Sequence, residues 1–359
     1  MTASDIPVAR TILEARGVKR HFPQGASLAF WRDREKIKAV DGISFRLVPG
    51  ETLSIVGESG CGKTTLARML LDLDRPTVGC IRFEGEDVAA LPKSDWKAFR
   101  LSVQAVFQDP TSSLDPKRRI RDIIAEPLLV NTRLRGAVLD DRIAELLQDV
   151  GLNAGVATAF PHELSGGMRQ RVAIAQALAL NPKVIILDEP VSALDVSIRA
   201  QIMNLLKRLR EEHGITYVMI AHDLGTVRYL SHRVAAMYAG QFVETGDTDA
   251  LFDDPLHPYT IALISAVGST RALAKGRIVL SGEPASPLDR LPGCRFQPRC
   301  WLCRQIGRPK TCTTLEPELR DVRDGQRVAC HFAEELLDPA RRAVHIDAAR
   351  SSALVEEES

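Results

Sequence analysis

Nine consecutive residues, Gly57-Glu58-Ser59-Gly60-Cys61-Gly62-Lys63-Thr64-Thr65, combine three glycines with a lysine and two threonine hydroxyls. Successive backbone N–H groups in such a loop can wrap phosphate oxygens, a lysine can reach the β and γ oxygens, and a threonine hydroxyl can ligate Mg²⁺, so the stretch fits the P-loop pattern. Lys63 is then the phosphate-binding cation and Thr64 the Mg²⁺ ligand. Glycine is expected because a Cβ would block the approach of the backbone to the phosphates. Cys61 reads as no more than a small residue. Well downstream, Ser165-Gly166-Gly167 leads into the apolar-periodic run VAIAQALAL. A loop entering a helix offers free N–H groups and the positive end of the helix dipole to an anion. The chain therefore has two candidate phosphate-binding ends.

Acidic and polar residues follow apolar runs in a way that fits one site. KVIILDEP reads as a buried strand ending in Asp188 and Glu189, at the sheet edge where open α/β sheets bind ligands. There Asp188 can enter the Mg²⁺ shell and Glu189 can polarise a water aimed at the γ-phosphate. Gln108, in VFQDP, and His222, in VMIAHD, close two further apolar runs. Either residue alone would read as an edge or core group; together they fit a γ-phosphate sensor set.

The elements that must hold these residues alternate. The stretch from Arg10 to about Phe107 is strand-like, with TLSIV running straight into the glycine loop and a helix beginning near Lys63. Helical segments, IRDIIAEPLLV and DRIAELLQDVGL, fill the region 109–165. Buried strands and helices then alternate again, which predicts an α/β domain over residues 10–256 with a mostly parallel central sheet, an antiparallel β subdomain and an inserted helical subdomain. Residues 1–9 are a separate N-terminal segment. The stretch QGASLAFWRDREKIKAV, with Phe30 and Trp31, reads as a packed surface loop. Residues 257–335 are Pro-rich and Cys-containing and are expected to form a small irregular C-terminal domain, and the polar, acidic residues 336–359 a disordered tail.

Composition narrows the classes. At 359 residues, 45% hydrophobic and 26% charged, the chain has an ordinary globular make-up, and its net charge of +1 suggests no nucleic-acid partner. No apolar h-region and no spanning helix is visible, so a cytoplasmic protein is expected, with any membrane role exercised through a partner. Five of the seven cysteines lie between Cys294 and Cys330. In a reducing compartment that clustering favours metal binding over disulfides, although the spacing matches no standard ferredoxin run. An iron–sulfur cluster, zinc and unligated buried thiols all remain open.

GESGCGKTT, VFQDP, LSGGMRQR, VIILDEP, SALD and AHD, in this order, resemble the ATP-binding subunits of ABC transporters, from roughly Arg10 to Leu263. The resemblance implies a P-loop ABC ATPase in which Ser165, Gly166 and Gly167 bind the γ-phosphate of ATP held by a second subunit. It makes Phe22 the adenine-stacking aromatic, Gln108 the residue that touches Mg²⁺ and couples the site to the transmembrane partner, Glu189 the general base, His222 the γ-phosphate switch and Asp195 a residue communicating between sites. Met168 stands where the commonest pattern has Gln and leaves the anion-binding loop intact. A P-loop kinase or GTPase would not explain LSGG. A soluble ABC-type ATPase of repair, translation or assembly would lack the extension that follows.

That extension, DPLHPYTIALISAV with LPGCRFQPRC and DGQRVACHF, looks like the C-terminal region of the dipeptide, oligopeptide and nickel importer branch. The resemblance implies import of peptides, or alternatively of nickel, opine or glutathione-like solutes. Its implied partners are a second ATPase subunit forming a heterodimer, two transmembrane permeases and an extracytoplasmic solute-binding protein, with this chain peripheral on the cytoplasmic face of the cell membrane. Cys294, Cys300, Cys312 and Cys330 match positions that ligate a [4Fe-4S] cluster in some members of the branch. Cys303 is an extra thiol that leaves the third ligand open.

Overall fold

Four strands end side by side, and each runs into a residue singled out above. The structure, a computed structural model, describes residues 11–23, 36–109, 113–192, 194–266, 277–283, 285 and 291–357, with side chains to Arg350. Phe30 and Trp31, residues 1–9 and Ala193 of the SALD motif lie outside the described residues. In chain order the strands are β1 Leu13–Pro23, β2 Lys36–Leu47, β3 Thr52–Val56, β4 Val78–Phe83, β5 Glu86–Asp87, β6 Val103–Val106, β7 Val184–Asp188, β8 Thr216–Ala221, β9 Arg233–Tyr238, β10 Gln241–Asp247, β11 Arg320–Arg323 and β12 Gln326–Val328.

The central sheet runs β11-β12-β10-β9-β3-β8-β7-β6, with all pairs from β6 to β9 parallel. The register pairs Val56 with Ala221, Asp188 with Ile220 and Val106 with Leu187, so the carboxyl ends of β3, β8, β7 and β6 form one edge. The P-loop, His222, Glu189 and Gln108 follow from that edge. Every residue of β3, β7 and β8 is buried, which is why these strands read as unbroken apolar runs and not as alternating ones.

Alternate side chains of these strands enter two cores. Ile185, Leu187, Tyr217 and Met219 face a core shared with the helices Ile120–Asn131, Gly136–Asp149 and Gly166–Leu178. Val184, Ile186, Val218 and Ile220 face a second core closed by the antiparallel sheet β2-β1-β4-β5 and the helix Lys63–Leu70. The amino-terminal region is not wholly strand-like, since Lys93–Ser102 is a helix that buries Phe99 against Phe83 at a ring separation of 5.5 Å.

Two expectations about the C-terminal part change. The described residues among 257–335 are continuous with the main core and do not stand apart from it. β12 pairs with β10 through Glu244↔Val328 and Thr245↔Arg327, and Phe296, Cys300, Trp301 and Leu302 join the first core. Nor is the tail disordered, because Pro339–Glu357 is a helix that buries Arg342, Ile346 and Ala349. The single apolar side chains needed for that docking are too sparse to stand out in a polar sequence.

Candidate active site

β3 delivers Val56 to the loop, and the helix Lys63–Leu70 starts at Gly62, whose φ of 108° only glycine tolerates well. No acidic residue lies in the first turn of that helix, so its positive end is unmasked for an anion. Lys63 is buried and folds back, its Nζ donating to Gly57 O at 2.7 Å and Glu58 O at 2.9 Å. Thr64, Ser59 and Gly60 are exposed, while Thr65 is half-buried. Packing within the chain adds a second requirement for glycine at two of these positions. A Cβ on Gly57 would lie 2.2 Å from Met237 O and one on Gly62 2.1 Å from Ala39 O, so the loop is pressed against the backbones of β9 and β2. Of the three loop glycines, Gly60 alone has open space around its Cβ direction. Cys61 is buried, and burial pushes its thiol up from its ordinary value.

Asp188 and Glu189 stand at the end of β7. Burial first, and the adjacent Glu189 carboxylate second, push Asp188 up from its ordinary value, while Lys63 and His222 pull it back. Glu189 has φ 49°, a left-handed conformation that is strained for a residue with a Cβ. Its N–H donates to Ile220 O at 2.9 Å, which ties the turn to β8. Gln108 Nε2 donates to Glu189 Oε2 at 2.7 Å, and His222 Nε2 pairs with Oε1. Three residues that sequence reasoning placed on separate strand ends therefore meet at one carboxylate. A cavity of about 160 Å³ lies beside it, lined by Glu189, Ser192, Arg199, His222 and Asp223 among others.

The chain matches the family described as "ABC transporter" over residues 40–192, and the "Oligopeptide/dipeptide transporter, C-terminal region" over residues 243–306. It is 47% identical over 336 residues to the oligopeptide transport ATP-binding protein AppF of Bacillus subtilis, covering 92% of this chain and 99% of that one. With the dipeptide transport ATP-binding protein DppF of Escherichia coli it shares 42% over 342 residues, 95% of this chain and 100% of the other. This chain is an ABC transporter ATPase. Among solved structures, the dimeric post-hydrolysis state of the ATP-binding cassette MJ0796 bound to ADP and Pi superposes with a TM-score of 0.58 at 30% identity, covering 66% of this chain and 99% of that one. The CbiO1 structure from Clostridium perfringens gives 0.58 at 27% identity, covering 72% and 95%.

Within this ABC ATPase the second candidate anion-binding end stands apart from the first. Ser165 caps the helix Gly166–Leu178, its Oγ accepting from Met168 N at 3.3 Å. Gly167 packs on Ile198, whose Cγ2 would be 2.5 Å from a Cβ there, and Gly166 lies near Leu194. Asp195 caps the helix Val196–His213 by position, without a side-chain hydrogen bond. No hydrogen bond or ion pair among the described residues joins Ser165, Gly166, Gly167 or Asp195 to the P-loop. Phe22, near the end of β1, is half-buried, with the Arg20 guanidinium 4.6 Å from its ring centroid.

The five C-terminal thiols converge. Cys300, Cys303 and Cys312 are buried, Cys294 and Cys330 half-buried, and none is in a disulfide. Cys294 N donates to Cys312 O at 2.9 Å, and Cys303 N to Cys300 Sγ at 3.4 Å. Burial pushes Cys294 up to about 11 and Cys312 and Cys330 up to about 12, with the neighbouring thiols adding to the shift. Among the described residues, no group of three or more His, Cys, Asp or Glu side chains is arranged to hold a metal ion, so neither the cluster nor the zinc alternative draws support from the geometry.

Sequence reasoning missed what this segment does to the P-loop. Glu58 N donates to Tyr259 Oη at 2.8 Å, and Arg299 grips the Glu58 carboxylate with both terminal nitrogens, at 2.6 and 3.0 Å. Nothing local signals these contacts, which span 201 and 241 residues.

Proposed function

We propose that this chain hydrolyses ATP to drive import of di- or oligopeptides through two permease subunits loaded by an extracytoplasmic solute-binding protein. The support for peptides is the C-terminal region and the named relatives. For the chemistry it is one observation: the Glu189 carboxylate held between Gln108 and His222 beside the P-loop. No helix among the described residues is long and apolar enough to cross a membrane. Attachment at the cytoplasmic face is assigned to the permeases from the resemblance to peptide importers. A groove of about 440 Å³ beside Gln108, with exposed Leu73 and Phe107 on its wall, is the surface offered to them.

Thr64, Gln108 and Asp188 are the oxygen ligands available to the Mg²⁺ that accompanies ATP and neutralises phosphate charge. Lys63 exchanges the Gly57 and Glu58 carbonyls for the β and γ oxygens, and Phe22 stacks on the adenine. In the nucleotide-free arrangement both Glu189 oxygens are engaged. A γ-phosphate that draws the His222 N–H to itself frees one oxygen, which then accepts the proton of the attacking water. Ser165, Gly166 and Gly167, idle within one chain, close over the nucleotide of a second ATPase subunit, and Asp195 follows that contact. Pairing with a second ATPase subunit accounts for a chain whose two anion-binding ends do not meet.

Cys294, Cys300, Cys312 and Cys330 are proposed as ligands of a [4Fe-4S] cluster. The support is the resemblance of these four positions to cluster ligands, while burial resists the thiolate form unless a cation takes it up. A cluster would supply iron–thiolate bonds that staple the segment. Anaerobically purified protein then contains about four iron and four sulfide per chain. Cys303→Ser keeps the colour if Cys312 is the third ligand, whereas colourless, iron-free protein rejects the cluster.

The importer reading is tested by reconstituting the chain with its permeases and second ATPase. Peptide-loaded binding protein should stimulate ATP hydrolysis and peptide uptake together. Hydrolysis indifferent to every peptide tried would reject peptide import.

A further inference from the structure

Every polar group of Glu58 has a partner. Its carbonyl accepts from Lys63, its N–H donates to the Tyr259 hydroxyl, and its carboxylate is held in the bidentate pair with Arg299. Two of the three partners come from the C-terminal extension. Arg299 is buried at 6% exposure and precedes Cys300, while Tyr259 is fully buried and packs edge-on to Phe296 at 5.5 Å. A second arginine does similar work on the other side. Arg295, which follows Cys294, donates to Ala239 O at 2.7 Å and pairs with Asp41. Asp41 N donates to Gly240 O, and Gly240 N to Cys61 O at 2.8 Å, so this chain of contacts also ends in the P-loop.

An acidic residue beside a triphosphate site is an electrostatic liability unless its charge is compensated. A fork-shaped, desolvated guanidinium compensates it and fixes the carboxylate's orientation at once. We propose that Arg299 is a positioning residue for ATP binding: by pairing with Glu58 it holds the first half of the P-loop ready for phosphate, and so makes nucleotide affinity depend on the thiol-bearing segment Cys294–Cys300. The inference rests on ATP being held at the P-loop. It gives the C-terminal extension a role at the nucleotide, separate from any role in solute handling. Removing Arg299 strands a carboxylate next to the triphosphate; removing the Glu58 charge as well removes the repulsion.

The test is a four-member cycle on the full chain: wild type, Arg299→Gln, Glu58→Gln and the double variant, each titrated with a fluorescent Mg-ATP analogue. A half-buried carboxylate left without its cation beside the triphosphate predicts that Arg299→Gln raises Kd on the order of tenfold. The double variant should stay within about threefold of Glu58→Gln, whatever Kd that single change has by itself. Circular dichroism and thermal unfolding accompany each titration. If Arg299→Gln does not fold, Arg299→Lys, which keeps the charge but not the fork, takes its place and should weaken binding less, with the same rescue by Glu58→Gln. A purely packing role for Arg299 would leave the double variant as weak as the single. That result, or an unchanged Kd in Arg299→Gln, overturns the proposal. Absence of binding by the wild type would instead count against nucleotide binding at the P-loop itself.

Discussion

Acidification should loosen the C-terminal extension through one imidazole. His257 caps the helix Pro258–Ser265, which carries Tyr259 to the P-loop, and its Nδ1 accepts from Tyr259 N at 3.1 Å. The ring is 2% exposed, and burial pushes it down from 6.5 to about 3. In the unfolded chain it takes up a proton near pH 6.5; in the folded one it refuses until about pH 3. Between those values the unfolded state binds more protons, so stability is complete above pH 6.5 and falls as pH drops. At pH 5 the difference is roughly 1.5 pH units of unmatched protonation, or about 2 kcal/mol. Glu244, which accepts from His257 N and is itself pushed up by burial, works in the opposite direction and is common to both proteins compared. His257→Asn keeps an acceptor for the cap but does not titrate. Urea unfolding followed by fluorescence, with Trp301 bonded to Pro258 O as a local reporter, should show the wild type losing about 2 kcal/mol more than the variant between pH 7.5 and pH 5. Parallel pH profiles would refute the reasoning.

Two further outcomes follow from the site. Gly62→Ala places a Cβ 2.1 Å from Ala39 O, backbone against backbone with no side chain to yield, so ATP binding should be lost and the melting temperature lowered; a variant that binds ATP normally would show that the loop is not pinned by β2. Ser165→Arg adds bulk and charge where the second subunit's nucleotide is expected, so it should leave Mg-ATP affinity of the isolated chain within about twofold while abolishing hydrolysis by the assembled pair, since the two anion-binding ends are not connected within one chain.

The residues around Glu189 were legible because each follows directly from a buried strand. Apolar runs announce β3, β6, β7 and β8, parallel order aligns their carboxyl ends, and Gln108, Glu189 and His222 then meet without any long-range information. What could not be read depends on contacts between segments far apart in the chain. Arg299 looks like one more surface cation until the fold buries it against Glu58. Gly57 and Gly62 were expected to be glycine for the ligand's sake, and are in addition crowded by carbonyls of β9 and β2. The helix Pro339–Glu357 escaped notice because its anchors, Arg342 with Asp254 and the apolar pair Ile346 and Ala349, are spaced along a polar sequence that shows no apolar stripe.

The central claim is that Glu189 is the base for ATP hydrolysis, and Glu189→Gln tests it most directly. In the reconstituted complex, with the partner subunit's own base removed, the variant should bind Mg-ATP as the wild type does and lose on the order of 10²–10⁴ in hydrolysis rate. Hydrolysis at the wild-type rate would contradict the account.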